Sequence, residues 1–184
     1  MNRVIITIVV LLATLATVPT LAQDVTPAEI NSIRTAYRAA KEQVELNEHA
    51  QDQNVPRSDM EVVSHYVIPG CGPTEEVIHY YFRLGEDPVL GTPVYSIYFI
   101  TRSYNVAARK FYQEFLFDGD ETALMFFYQN NDAIDGTRDE TRYYFGSQSI
   151  QKDIKGTAET NEVFASRTAD ELKSAFNLLM NRDY

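Results

Sequence analysis

Between Ile30 and Val44 the apolar residues Ile30, Ile33, Tyr37, Ala40 and Val44 recur at spacings of three and four, which places them on one stripe of an α-helix. Just before them stands Thr26-Pro27-Ala28-Glu29. Threonine can cap the helix, proline suits its first position, and glutamate can close a capping box. The pattern predicts a helix running to about Glu48, whose polar face is charged and whose stripe must pack on something. The polar stretch from His49 to Ser58, with Pro56 inside it, reads as a linker loop.

From Met60 the period changes to two. EVVSHYVI and EEVIHYYFRL flank the turn PGCGPT, and PVYSIYFITRSY, RKFYQEFLF, TALMFFYQ and TRYYFGS follow. Each has the length and the β-branched or aromatic content of a strand. Asp118-Gly119 marks a tight turn between two of them, and NNDAIDGTRDE forms a longer polar loop. Strands this close in sequence leave no room for parallel crossovers, so an antiparallel meander is expected. Ser149 to Lys155 adds a short edge strand. A second capping box, Thr168-Ala169-Asp170-Glu171, with the stripe Leu172, Ala175, Phe176 and Leu179, predicts a C-terminal helix. The expected fold class is α+β: a meander of five to seven antiparallel strands with both helices packed on one face. The alternative is a strongly curved sheet wrapping the first helix.

The N-terminal MNRVIITIVVLLATLATVPTLAQ has one charge, Arg3, then an apolar run and small residues before Gln23. This is the layout of a secretory signal peptide, predicting a leader over 1–22, a single domain over 23–184, and a periplasmic or secreted protein. The strongly apolar part is short for a membrane span, so no stable membrane insertion is expected once the leader is cleaved. The chain carries 16 basic and 26 acidic residues, a net charge of −10. Nucleic acid is therefore an unexpected partner, because binding it usually requires clustered Lys and Arg.

Cys71 is the only cysteine. One cysteine makes no internal bridge, and a nucleophilic thiol needs a nearby base. His65 and His79 lie on the two arms of the hairpin, roughly 20 Å or more away along extended chain. Zinc would need several Cys and His at short spacing. Cys71 is thus expected to be a turn residue between Gly70 and Gly72, with no catalytic, metal or cofactor role.

Other motifs are also set aside. Asp118-Gly119-Asp120-Glu121 is accounted for by a turn, and an EF-hand register starting at Asn131 fails at Ala133. Glu75 and Glu76 are adjacent and point to opposite faces of a strand. Glu114 is a further carboxylate with no spacing to select a partner. Phosphate loops, nucleophile elbows and dinucleotide fingerprints are not found in the sequence.

The aromatic content changes the picture. The chain has 12 Tyr and 10 Phe but no Trp, and most of them fall on the expected strands. Packing across pleated surfaces explains much of this. Strand parity offers a second reading. Tyr81 and Arg83, Tyr98 and Arg102, Tyr112, and Arg142 and Tyr144 would share the face opposite the helices. There tyrosine supplies flat area with a hydroxyl, and arginine supplies forked donors for carboxylates. These seven are the expected ligand-binding residues on an open sheet face.

The run YFITRSYNVAARKFYQEFLFDGDETALMFFYQNND, Tyr98 to Asp132, resembles small exported bacterial proteins of unknown function, with a helix followed by a sheet meander. The order of elements is also similar to cystatin-like and NTF2-like folds. The resemblance implies a fold and no activity. The expected function is a non-catalytic periplasmic or secreted module binding a protein or a small molecule. The alternatives are a hydrolase using carboxylate chemistry and an assembly subunit that pairs through a sheet edge.

Overall fold

The computed structural model describes residues 24–50, 58–119, 123–132, 136–157 and 160–180. The expected leader and its cleavage point, most of the expected 49–58 linker, and Asp120 and Glu121 of the acidic turn lie outside the described residues. Helix α1 spans Pro27–Ala50. Seven strands follow: β1 Asp59–Ile68, β2 Gly72–Glu86, β3 Pro93–Val106, β4 Arg109–Phe117, β5 Leu124–Asp132, β6 Arg138–Phe145 and β7 Ile150–Lys155. Helix α2, Glu162–Met180, ends the described chain. The strands form one sheet in sequence order, every neighbouring pair antiparallel. This is the α+β meander expected from the short connections. No described helix is long and apolar enough to cross a membrane.

The α1 start is the capping box read from the sequence. The Glu29 amide donates to Thr26 Oγ1 at 3.2 Å, and the Thr26 amide returns a bond to Glu29 Oε2 at 2.9 Å. The other carboxylate oxygen of Glu29 accepts from the Ser147 hydroxyl at 2.8 Å, which ties the helix start to the β6–β7 turn. Helix α2 starts seven residues before the capping box at Thr168 predicts. Its cap is Asn161, whose Oδ1 accepts the Phe164 amide at 2.8 Å. Thr168 sits inside the helix and is buried, on one stripe with Ala165, Ala169, Leu172 and Phe176.

The helices do not share a face. Ile33, Ala40 and Val44 of α1 pack with Tyr81, Tyr98, Phe99, Leu116, Phe126 and Tyr144. Ala165, Ala169, Leu172 and Phe176 of α2 pack with Tyr80, Ile97, Ile100, Phe115, Phe127 and Tyr143. The expectation of both helices on one face is corrected accordingly. The reason is written in the middle of each strand: Tyr80-Tyr81, Phe115-Leu116-Phe117, Phe126-Phe127 and Tyr143-Tyr144 are consecutive apolar residues. Such runs place apolar surface on both sides of the sheet, and one helix covers each side.

Two register shifts change which residues share a face. The β2–β3 register shifts at Tyr81/Phe82 and the β4–β5 register at Leu116/Phe117. At the first, consecutive Tyr98 and Phe99 both pack toward α1; at the second, Met125 and Phe126 do so. An extra residue in one strand of a pair does this, and alternation beyond it is inverted.

Candidate functional site

The face expected to be open lies under α1. Tyr81, Tyr98 and Tyr144 are 4%, 3% and 5% exposed and belong to the α1 core, so they pack rather than present a surface. Arg83, on the same face, is exposed and stands 5.1 Å from the Tyr98 ring centroid. Tyr112 is half-buried and its hydroxyl donates to Glu114 Oε1 at 2.8 Å.

Arg102 is on the opposite face, beyond the shifted register of β3. Its guanidinium pairs with Glu76 at 2.5 Å, donates to Gln113 at 3.3 Å and lies over the Tyr104 ring. From there a buried polar row crosses the sheet. Gln113 Nε2 donates to Gln129 Oε1 at 2.8 Å, and Gln129 Nε2 donates to Asn131 Oδ1 at 3.2 Å. Asp139, also buried, takes the Thr157 amide at 2.9 Å. Buried polar groups joined in this way satisfy one another, so Arg102 belongs to the internal bracing of the sheet and not to a recognition surface.

On the α1 face, Glu114 is 3% exposed and is bound by three donors. The Tyr37 hydroxyl reaches Oε2 at 2.5 Å, while Lys41 Nζ at 3.0 Å and the Tyr112 hydroxyl at 2.8 Å reach Oε1. Burial, followed by the hydrogen bond to Glu114, pushes the Tyr37 phenol well above its ordinary range. Burial and the charge of Glu114 do the same to Tyr112. Both phenols therefore remain neutral donors. A carboxylate that is 3% exposed and engaged on both oxygens is a brace between α1 and β4.

Beside this brace, on one flank of α1, a cleft of about 450 Å³ opens. Ile33, Arg34, Tyr37 and Arg38 line it from the helix, Phe126 and Tyr128 from β5, and Arg142 and Tyr144 from β6. The Arg34 guanidinium lies 5.5 Å from the Tyr144 ring centroid, and that of Arg142 lies 5.2 Å from the Tyr128 centroid. Arg142 is anchored by Glu140 at 2.8 Å and Asp153 at 3.6 Å. Arg34 and Arg38 have no carboxylate partner among the described residues. Arg38 makes only long contacts, 3.4 Å each, to the Arg34 carbonyl and the Thr35 hydroxyl. The floor is aromatic and the rim is cationic.

A larger hollow of about 650 Å³ lies on the other flank of α1, where Tyr98 and Arg83 meet Ala39, Gln43 and Asn47. The buried Tyr98 hydroxyl there has no hydrogen-bond partner among the described residues. Ser58 and Gly119 stand on its rim. Among the described residues, no group of three or more His, Cys, Asp or Glu side chains is placed to hold a metal ion.

Of the seven residues expected from strand parity, the cleft brings together only Arg142 and Tyr144. Arg34, Tyr37, Arg38 and Tyr128 were not expected. A signal for the helical ones does exist: Arg34, Arg38 and Lys41, at spacings of four and three, form a basic stripe beside the apolar one. No family model, no curated protein and no solved structure matches the chain.

Proposed function

We propose that this chain is an exported, non-catalytic binding protein whose cleft between α1 and β5–β6 takes a small molecule with a carboxylate on a flat apolar body. One observation carries the reading: in a chain of net charge −10, Arg34, Arg38 and Arg142 gather around a cleft walled by Tyr37, Phe126, Tyr128 and Tyr144. Two of the three lack an acidic partner among the described residues. Guanidinium groups bind carboxylates through forked hydrogen bonds, and aromatic walls hold a planar body. The volume lies within the range of small-molecule sites. Glu114, buried and held on both oxygens by Tyr37, Lys41 and Tyr112, favours binding over carboxylate catalysis. The leader-like N-terminus supports export to the periplasm or medium.

Calorimetric titration with benzoate and indole-3-acetate, against the neutral benzamide, tests this. The carboxylates are expected to bind and the amide not. Arg34→Gln is expected to weaken benzoate binding by about tenfold or more, the scale of a lost charge-assisted hydrogen bond, with the melting temperature unchanged. Equal binding of benzamide and benzoate, or an indifferent Arg34→Gln, refutes the assignment.

A further inference from the structure

The two edges of the sheet are built differently. β7 is six residues long, carries Lys152 and Lys155 and is followed by Gly156, whose φ is +83°. Short length and lysine are the usual protections of a strand edge. β1 has neither. It is ten residues long, DMEVVSHYVI, without Pro, Lys, Arg or Gly, and pairs with β2 in unbroken register from Asp59↔Tyr81 to Ile68↔Gly72. Among the described strands, β2 is its only neighbour in the sheet. Val63, Tyr66 and Val67 are 47%, 39% and 71% exposed, so this edge carries apolar side chains as well as bare backbone.

The direction of the free backbone groups follows from the pairing. The Ser58 carbonyl accepts the Phe82 amide and the Ile68 carbonyl accepts the Cys71 amide, so even-numbered residues turn their polar groups toward β2. In an antiparallel strand the alternate residues face the other way. Glu61, Val63, His65 and Val67 therefore point N–H and C=O outward.

We propose that β1 pairs antiparallel with β1 of a second copy of this chain, centred on Val63, making one sheet continuous across a two-fold axis. Charge selects both the partner and the register. Within the chain, Glu61 sits opposite His79 with the imidazole Nε2 3.1 Å from its carboxylate, and His65 sits opposite Glu75 at 3.6 Å. All four lie on the α1 face. With Val63 opposite its copy, Glu61 falls opposite His65 of the second copy, and His65 opposite the second Glu61. The row across the joint then reads His79, Glu61, His65, Glu75, with imidazole and carboxylate alternating, and it occurs twice. Each Glu61 has a second carboxylate oxygen for the new contact. On the other face Met60 meets Tyr66 of the second copy. Shifting the centre to Ser64 would set Glu61 against Val67 and His65 against Val63, losing these matches. The Val63 register also pairs Glu61, Val63 and His65 with outward residues of the second copy, for about six main-chain hydrogen bonds.

Light scattering on the size-exclusion eluate of the full chain, over a range of loading concentrations, is expected to show twice the chain mass. Val63→Pro removes an outward N–H and no β1–β2 bond, and is expected to return the single-chain mass with an unchanged far-ultraviolet circular dichroism spectrum. His65→Glu is expected to do the same by setting acid against Glu61, and Glu61→Lys with His65→Glu to restore the dimer. In a Cys71→Ser background, Val63→Cys is expected to cross-link under mild oxidation, since opposed Cα atoms would be about 5.5 Å apart. Val67→Cys is not, because the two copies of residue 67 would lie roughly 25 Å apart. A single-chain mass at every concentration overturns the proposal and leaves this edge to a strand of a different chain. A dimer that survives Val63→Pro, or that cross-links through position 67, overturns it equally.

Discussion

Replacing Glu114 by alanine tests whether its cluster is a structural brace. The carboxylate is 3% exposed and accepts from two phenols and an ammonium at 2.5, 2.8 and 3.0 Å. Alanine leaves the Tyr37 and Tyr112 hydroxyls without their acceptor in a half-buried site. A hydrogen bond to a charged group contributes about 1.5–3 kcal/mol, and a stranded buried donor costs about 1–3. Lys41 is a different case. Its side chain is 36% exposed, so water can take over and its share stays under about 1 kcal/mol. Losing the buried charge offsets part of the total, because its own desolvation cost disappears. The expected net loss is about 3–4 kcal/mol. Glutamine retains an acceptor for one phenol and an amide for the other, and should cost about half as much.

Removing the carboxylate and both phenols together distinguishes this account from a simple packing defect. In the triple variant Glu114→Leu, Tyr37→Phe, Tyr112→Phe, no phenol is stranded and the volume is nearly retained. Concerted apolar replacement of a buried ionic cluster is often neutral or stabilising, so the triple variant should lie within about 1 kcal/mol of the parent despite carrying three changes. Urea unfolding followed by far-ultraviolet circular dichroism measures all three variants, with equal slopes showing that the unfolded states are comparable. A cost below about 1 kcal/mol for Glu114→Ala, or a triple variant worse than the single one, would refute the brace.

Two further predictions concern the termini of elements. The Glu29 carboxylate is held at about 2, first by the Thr26 amide, then by the Thr26 hydroxyl and the Ser147 donors. A lowered folded-state value means that this stability is present above the ordinary glutamate value of 4.5 and is lost as pH falls toward about 2. Urea midpoints of the parent should therefore drop more over that window than those of Glu29→Gln; parallel curves would contradict the capping assignment. Cys71 sits in a hairpin turn, half-buried, between Gly70 and Gly72 with φ of +80° and +95°. Cys71→Ser should change stability by no more than about 1 kcal/mol, and a loss of several in the same urea assay would show that the thiol is packed.

The sequence carried the elements further than their arrangement. The stripe of α1, its capping box and the order of strands are local patterns, and local patterns survive into the structure. The side of the sheet each helix takes is not local. It depends on whether one or both strand faces are apolar, and Tyr80-Tyr81 or Phe126-Phe127 can be read as one strong face or as two. The start of α2 was obscured for a related reason. Thr168 and Glu171 have the spacing of a cap, yet the stripe continues backward through Ala165, and the side chain that accepts the first free amide belongs to Asn161.

The candidate site was legible only in part, because strand parity assumes an unbroken pleat. In Ile97-Tyr98-Phe99-Ile100 all four residues suit a core, so nothing in their chemistry marks the extra residue that sends Arg102 to the other face. Arg142 and Tyr144 lie on a strand without a register shift and kept their expected relation. A sheet of seven strands spans roughly 29 Å, six spacings of about 4.8 Å, whereas a helix with its side chains is about 10 Å across. One helix on each face buries the middle strands and leaves its own flanks and the sheet edges uncovered. Recognition on this fold is therefore expected beside α1, where the Arg34–Arg38–Lys41 stripe meets Tyr128 and Arg142, and along β1, and not at the centre of a face where tyrosines are densest.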